Sequence, residues 1–443
     1  MKRRIFFGTG TMFLVMVLIA CEKFLDTKPN DSLSTIETIE DLTRLLNNTD
    51  VMNSAFPVLQ EGGTDNVYVL PQAWASLTNI PAKNFYIWND DIFGDSDFNE
   101  WSCLYEMIYY ANVVLERLPN VAGDLRQKDL LKGRALFFRA FAHYEVAQIF
   151  AQVYDPLIDN STVIGIPIRT TADVSAKIAW SDLEETYAYI INDIVEATEL
   201  IPALSEHKTD PSKQAAFALL ARVYLSMSDY ESAKDFASRA LAIQDDLLDY
   251  KELDLSANYP VAMGNKEVIF HTATFGRPIL NLANGRVDME LYRKYADNDY
   301  RKQVFFRDRE GTYSFRGSYT GSSVLFSGLT TAELYLILSE CEARLGNVVE
   351  SLEFINSLLK KRFDDSFTSI DTQNTDSLLT IILEERRKEL VFRGLRWMDL
   401  KRLNLEFRFQ KIITRELFGE TYILRPQSEK YVVPAPRLVY EVD

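Results

Sequence analysis

The chain is poor in the residues that carry most enzyme chemistry. Its 443 residues include three histidines, His143, His207 and His271, and three cysteines, Cys21, Cys103 and Cys341. No glycine-rich phosphate loop, H-E-x-x-H zinc pair or serine elbow occurs. His143 sits in an apolar helical stretch with no metal partner at helical spacing, so it reads as a core or groove histidine. Neither catalytic residues, a metal nor a cofactor is expected. Cys103 and Cys341 lie in apolar helical patterns and read as buried thiols rather than a disulfide framework, with a bridge between them the alternative in an exported chain. Positive charge is also short: 48 Lys and Arg face 64 Asp and Glu, a net charge of -16. That balance excludes nucleic acid as a partner. Low-complexity tracts are absent, and at 47% hydrophobic content the chain can bury a large core.

A long apolar run is missing too. The uninterrupted stretch Met12 to Ala20 falls well short of the roughly 20 residues that span a bilayer. It follows Lys2, Arg3 and Arg4 and ends at Leu18-Ile19-Ala20-Cys21, which resembles the bacterial lipobox. Residues 1–20 therefore read as a signal peptide and Cys21 as the lipid-bearing first residue of the mature chain, whose charge becomes -19 once the three basic residues are removed. Several acyl chains hold a protein on a membrane without crossing it. Residues 22–29 read as a tether.

Helical periodicity dominates the rest of the chain. Leu131, Ala135, Phe138, Ala142, Val146 and Ile149 step by three and four, one face of a helix. The same spacing predicts helices over Trp101 to Leu118, Asp182 to Leu200, Ser212 to Met227, Tyr230 to Ile243, Thr331 to Leu345, Val348 to Arg362 and Leu378 to Phe392. Phe217, Leu220, Ala221, Tyr224, Tyr230, Ala233 and Ala240 fall where tetratricopeptide repeats place packing residues, predicting a hairpin over 212–243 joined at Ser228-Asp229. A weaker copy over 331–362 has serine at Ser339 and Ser351 where alanine is preferred. Residues 51–100 and 251–330 break this order with Gly, Asn, Asp and aromatics, and read as long loops with short strands.

Several blocks together resemble the SusD/RagB family of nutrient-capturing surface lipoproteins of Bacteroidetes. They are Cys21 to Asp26; Trp101, Tyr105, Ile108, Ala111, Asn112, Val113 and Leu115; Arg134 to Ala140; Ile166-Pro167; Tyr187, Ile191, Asp193, Ala197 and Pro202; and Glu385 to Leu390 with Gly394 and Arg396 to Arg402. The resemblance implies a mostly α fold over residues 21–443: a SusD-like helical scaffold with tetratricopeptide-type helix pairs and an irregular ligand-facing region. It also implies a non-catalytic role, binding oligosaccharide at the cell surface beside a SusC-like TonB-dependent transporter of the outer membrane. The shortness of the chain implies a reduced ligand-facing region. Alternatives from other classes are a protein-binding scaffold on the outer membrane, capture of a non-glycan nutrient such as peptide, or an enzyme.

In the charged block, Arg386 with Glu389 and Arg396 with Asp399 are spaced to pair along a helix, Gly394 permits a break, and Trp397 and Leu400 pack beneath. A structural ion-pair network is the expectation. Asp95, Asp97, Asn99 and Glu106 fit positions of a calcium loop, but Glu100 stands where the turn needs glycine, so the match reads as chance. A looser oxygen-rich site around 90–97 is the other reading. Sugar binding asks for flat aromatic faces beside amides, carboxylates or guanidinium groups. Trp74, Tyr86, Trp88 and Asp91 from the first irregular stretch, with Arg316 and Tyr319 from the second, are the candidates, and Tyr313 lies beside them. Burial in the core is the competing reading for each aromatic. Trp101, Trp180 and Trp397 are expected in the core.

Overall fold

Short polar side chains set the helix starts. In the computed structural model, which describes residues 36–439 except 95, 97, 98, 178, 275, 277, 278, 282 and 283, Asn99 and Ser102 form a reciprocal capping box at the head of Glu100–Arg117. Asp124, Asp182, Ser212, Asp229, Thr330 and Asn374 accept first-turn N–H bonds for Leu125–Phe150, Leu183–Leu200, Lys213–Ser226, Tyr230–Leu241, Thr331–Arg344 and Thr375–Glu389. Such caps contribute about 1 kcal/mol each. Every helix expected from periodicity is present. The expected signal peptide, residues 1–20, and the expected lipid-bearing Cys21 lie outside the described residues, among which no helix is long and apolar enough to cross a membrane.

The two hairpins form as helix pairs. Ala221 and Ala233 are fully buried, and Tyr224 stacks on Phe236 at 5.5 Å, which brings Lys213–Ser226 and Tyr230–Leu241 together. In the second pair, Thr331–Arg344 with Val348–Leu359, the serines have a reason to be there. Ser339 Oγ donates to the Ser351 carbonyl at 2.9 Å and Ser351 Oγ donates to the Ser339 carbonyl at 2.7 Å, pinning the crossing with two buried bonds. Tyr230–Leu241 packs directly on Thr331–Arg344, so the pairs stack although some 90 residues separate them. Cys103 and Cys341 are buried free thiols.

A second hydrophobic core underlies the irregular stretches. Val67, Val69, Tyr86, Val287, Leu291, Phe305, Phe315 and Tyr319 pack there with Val391 and Phe392. The stretches hold short strands as expected, and also short helices that periodicity could not reveal, such as Pro71–Ala75 and Ile80–Tyr86. Their strands pair across great sequence distance: Val67–Val69 runs antiparallel to Gly285–Val287.

The charged block is the seam between the two cores, and its partners differ from the helical pairs expected. Arg386 reaches Asp399 at 3.0 Å, Arg396 reaches Asp65 at 2.8 Å, and Glu389 receives Arg362 at 2.8 Å and Arg301 at 3.2 Å. Residues 385–389 are all buried, so each charge must be neutralised in the direction it faces rather than along its own helix. The helix ends before Phe392, at φ +58°, and Gly394, at φ +80°, as the expected break requires. Trp101 and Trp397 are buried, but Trp180 is 38% exposed, a correction: it lies on the two-stranded ladder of Ile164–Pro167 with Trp180–Asp182 at the surface.

Candidate ligand-binding face

Strand alternation builds an outward face on the second core. Val67 and Val69 are buried and Tyr68 between them points out; Gly285 and Val287 are buried and Arg286 points out. Tyr68 and Arg286 are directly opposite in the antiparallel register, hence on the same side. Gly285 is needed because a Cβ there would stand 2.3 Å from the Ile279 carbonyl oxygen. The neighbouring hairpin, Phe306–Arg309 with Thr312–Phe315, turns at Glu310-Gly311, both at positive φ. Arg286 Nε donates to Thr312 Oγ1 at 3.1 Å, tying the ladders together. Tyr313 then stacks on Tyr292 with centroids 3.4 Å apart and rings 13° from parallel, and the Lys302 ammonium lies 5.4 Å from the Tyr292 centroid.

Beside this face lies a cleft of ≈ 390 Å3 where both irregular stretches meet the antiparallel hairpin of Ile413–Leu417 with Glu420–Leu424. Tyr68, Pro71, Asp288, Glu290, Lys411 and Glu416 line it. Burial raises the Tyr68 hydroxyl pKa, with Arg286 opposing, so the phenol stays neutral and can both donate and accept. Tyr313, alternating with Thr312, turns to the other side of its ladder and stacks with Tyr292 against the second core. Tyr68 thus brings a flat ring beside the Arg286 guanidinium, the Lys411 ammonium and the Asp288, Glu290 and Glu416 carboxylates. That set suits a polyhydroxylated ring, which has an apolar face and a rim of hydroxyls. Among the described residues no cluster of His, Cys, Asp or Glu could hold a metal ion, and Asp95 and Asp97 lie outside those residues.

The structure does not bring the six sequence candidates together. Trp74 is half-buried on Pro71–Ala75, just after the Tyr68 strand, with its indole N–H donating to the Lys83 carbonyl at 3.0 Å. Asp91 is exposed but pairs with Arg437 at 2.6 Å, at a separate cleft by Pro434. The other four correct the expectation. Tyr86 is 2% exposed, and its hydroxyl accepts from the Val69 N–H at 2.9 Å. Trp88 is buried, donating to the Gly63 carbonyl at 3.1 Å. Tyr319 is fully buried and donates to Glu267 at 2.6 Å. Arg316 spends its guanidinium on the carbonyls of Leu255, Ala257 and Gln303. These side chains hold the irregular stretches together from within. Tyr68 and Arg286 went unread because the alternation that exposes them lasts three residues per strand, and Tyr292 because its helix, Met289–Arg293, is five residues long, each too short for periodicity to register.

The architecture defines a helical scaffold protein carrying an irregular aromatic face. Residues 23–225 match the family described as starch-binding, associating with outer membrane, and residues 329–417 match the SusD family. The chain belongs to the SusD/RagB family. A SusD-like protein, P2, of Formosa agariphila is 25% identical over 409 residues, 76% of each chain. A SusD-like carbohydrate-binding protein of Bacteroides vulgatus superposes with a TM-score of 0.70 at 20% identity, covering 92% of this chain and 96% of that one. A laminarin-binding SusD-like protein gives 0.65 at 18% identity, covering 90% and 96%. At such identities the structural likeness speaks for the fold.

Proposed function

We propose that this chain is a non-catalytic lipoprotein, anchored through Cys21 on the outer membrane and facing the cell surface, that captures oligosaccharide and passes it to a SusC-type TonB-dependent transporter. The observation that carries the reading is the outward pair Tyr68 and Arg286 beside the cleft lined by Asp288, Glu290 and Lys411, with Trp74 just beyond the strand and the Tyr292–Tyr313 stack on the neighbouring hairpin. Family membership and the laminarin-binding relative support it. The helical side, built from the stacked pairs, is left to face the transporter.

Calorimetric titration of the purified mature chain against a panel including laminarin and starch is expected to give binding. Tyr68→Ala with Tyr313→Ala should weaken it by about tenfold to a hundredfold, at roughly 0.5–1.5 kcal/mol per aromatic contact beyond area. Binding of peptides with no glycan affinity would sink the glycan assignment. Anchoring and partnership are tested in cells: Cys21→Ala should release the folded protein from membranes, and detergent extracts pulled down through the wild type should contain a large β-barrel transporter. Its absence from the pulled-down material would count against delivery.

A further inference from the structure

A second aromatic cleft lies on the helical side and shares no residue with the face described above. Trp101, Tyr105, Ile108, Tyr109 and Asn112 recur at three- and four-residue steps along one face of Glu100–Arg117. Opposite them runs the segment 167–174, held off the helix by side chains of that same helix. The Tyr105 hydroxyl donates to the Pro167 carbonyl at 2.7 Å, the Asn112 amide donates to the carbonyls of Arg169 and Thr171 at 3.0 Å each, and Glu116 accepts the Ala172 N–H at 2.8 Å. Asn112 is itself fixed by Arg139, which is locked bidentately on Asp193. The space between is ≈ 220 Å3, with Arg169 and Asp173 at its polar side. Trp180 continues the aromatic surface, 6.1 Å from Trp101.

We propose that this cleft binds one neutral pyranose ring, the end or a branch of a glycan, as a second saccharide site. The volume is below the roughly 300–1,000 Å3 of pockets that enclose drug-sized ligands, which limits it to a single ring. Aromatic rings cover the apolar face of such a ring, while Arg169 and Asp173 offer a donor and an acceptor for its hydroxyls. An anionic sugar is disfavoured. Asp173 stays ionised, held low by the Ser175 hydroxyl, and one Arg169 nitrogen is already given to the Ala176 carbonyl at 2.7 Å. An aromatic side chain as ligand would leave that polar side unanswered.

The inference rests on the reading of the chain as a saccharide binder, and its test separates the two. The chain carries five tryptophans, Trp74, Trp88, Trp101, Trp180 and Trp397, which can be labelled as 5-fluorotryptophan and assigned by single Trp→Phe variants. Titration with methyl β-D-glucopyranoside and with laminaritriose is followed by fluorine NMR. The Trp101 and Trp180 resonances should shift saturably, with affinity at least about tenfold weaker in Tyr109→Ala and retained in Tyr109→Phe. Unchanged Trp101 and Trp180 resonances with both probes overturn the cleft. If laminaritriose still binds in a manner lost on Tyr68→Ala with Tyr313→Ala, the glycan reading stands without it. Equal affinity of the Tyr109→Ala variant, with its fold confirmed by circular dichroism, also overturns the cleft.

Discussion

Replacing Glu389 by glutamine is expected to lower the unfolding free energy by about 3–5 kcal/mol, the range for breaking a buried ion pair from one side. Glu389 is fully buried, accepts two bonds from Arg362 at 2.8 and 3.0 Å, and meets Arg301 at 3.2 Å. The amide keeps the shape and removes the charge, so one of its N–H groups is turned toward a guanidinium. Arg362 retains Glu267 at 2.7 Å and Arg301 retains Asp299 and Glu385, which bounds the loss. The control is Asp365→Asn, which breaks a pair with Lys251 of similar length, 2.7 Å, but largely exposed. Exposed pairs contribute about 0–1 kcal/mol. In urea titrations the Glu389 variant should shift its midpoint strongly at constant slope while the control barely moves. Equal small shifts in both would show that the seam between the cores carries no stability.

The same residue shows where sequence reasoning stops. The block from Glu385 to Arg402 was legible as a structural network because it is dense in charge and lacks any nucleophile. Its partners were not. Asp65, Asp299 and Arg362 lie far away in the chain, and only the packing of the two cores brings them to the seam. The helices could be read because their faces repeat over 12 to 26 residues. Composition marked the irregular stretches correctly as distinct, yet it could not sort their aromatics. Trp88 and Tyr68 sit in similar surroundings of Asn, Asp and Gly; the first adopts φ +53° and is buried against Gly63, while the second is turned outward by two flanking valines. Trp180 failed as a core residue for a related reason, since a two-stranded ladder buries only one of its faces.

Acid should unfold the protein steeply below about pH 4.5, with native near-UV dichroism lost by about pH 3. Two fully buried carboxylates carry the argument. Arg362 and Arg301 hold the Glu389 pKa down from 4.5 to about 2, and Arg402 with Arg344 does the same for Glu340. A carboxylate whose pKa is lower in the folded state stabilises it above the unfolded value and loses that stabilisation as pH falls through the folded one. At about 1.4 kcal/mol per pH unit, each loses on the order of 3 kcal/mol between pH 4.5 and 2. Asp65, held low by Arg396 and Arg387, adds to the loss. His143 acts in the same direction: burial lowers its pKa from 6.5 to about 3, so the fold must stay tied to the neutral ring as unfolded histidine protonates. Glu61 and Glu100 oppose this at higher pH. Burial raises both from 4.5 to about 7, so their stabilisation is complete below pH 4.5 and fades as pH rises through 7. Two raised carboxylates outweigh one lowered histidine in that range, so stability should rise by on the order of 2 kcal/mol as pH falls from 7 to 5, before the fall. Glu61→Gln separates the contributions, because the amide oxygen can still accept from the Gly394 N–H, at 2.6 Å from Glu61 Oε1 in the wild type, without ever ionising. Urea unfolding of that variant should show a gain over wild type at pH 8 that disappears by pH 5. A gain of the same size at both pH values would mean that Glu61 ionises as an exposed glutamate does, and a wild type still native at pH 2 would remove the buried carboxylates from the account of its stability.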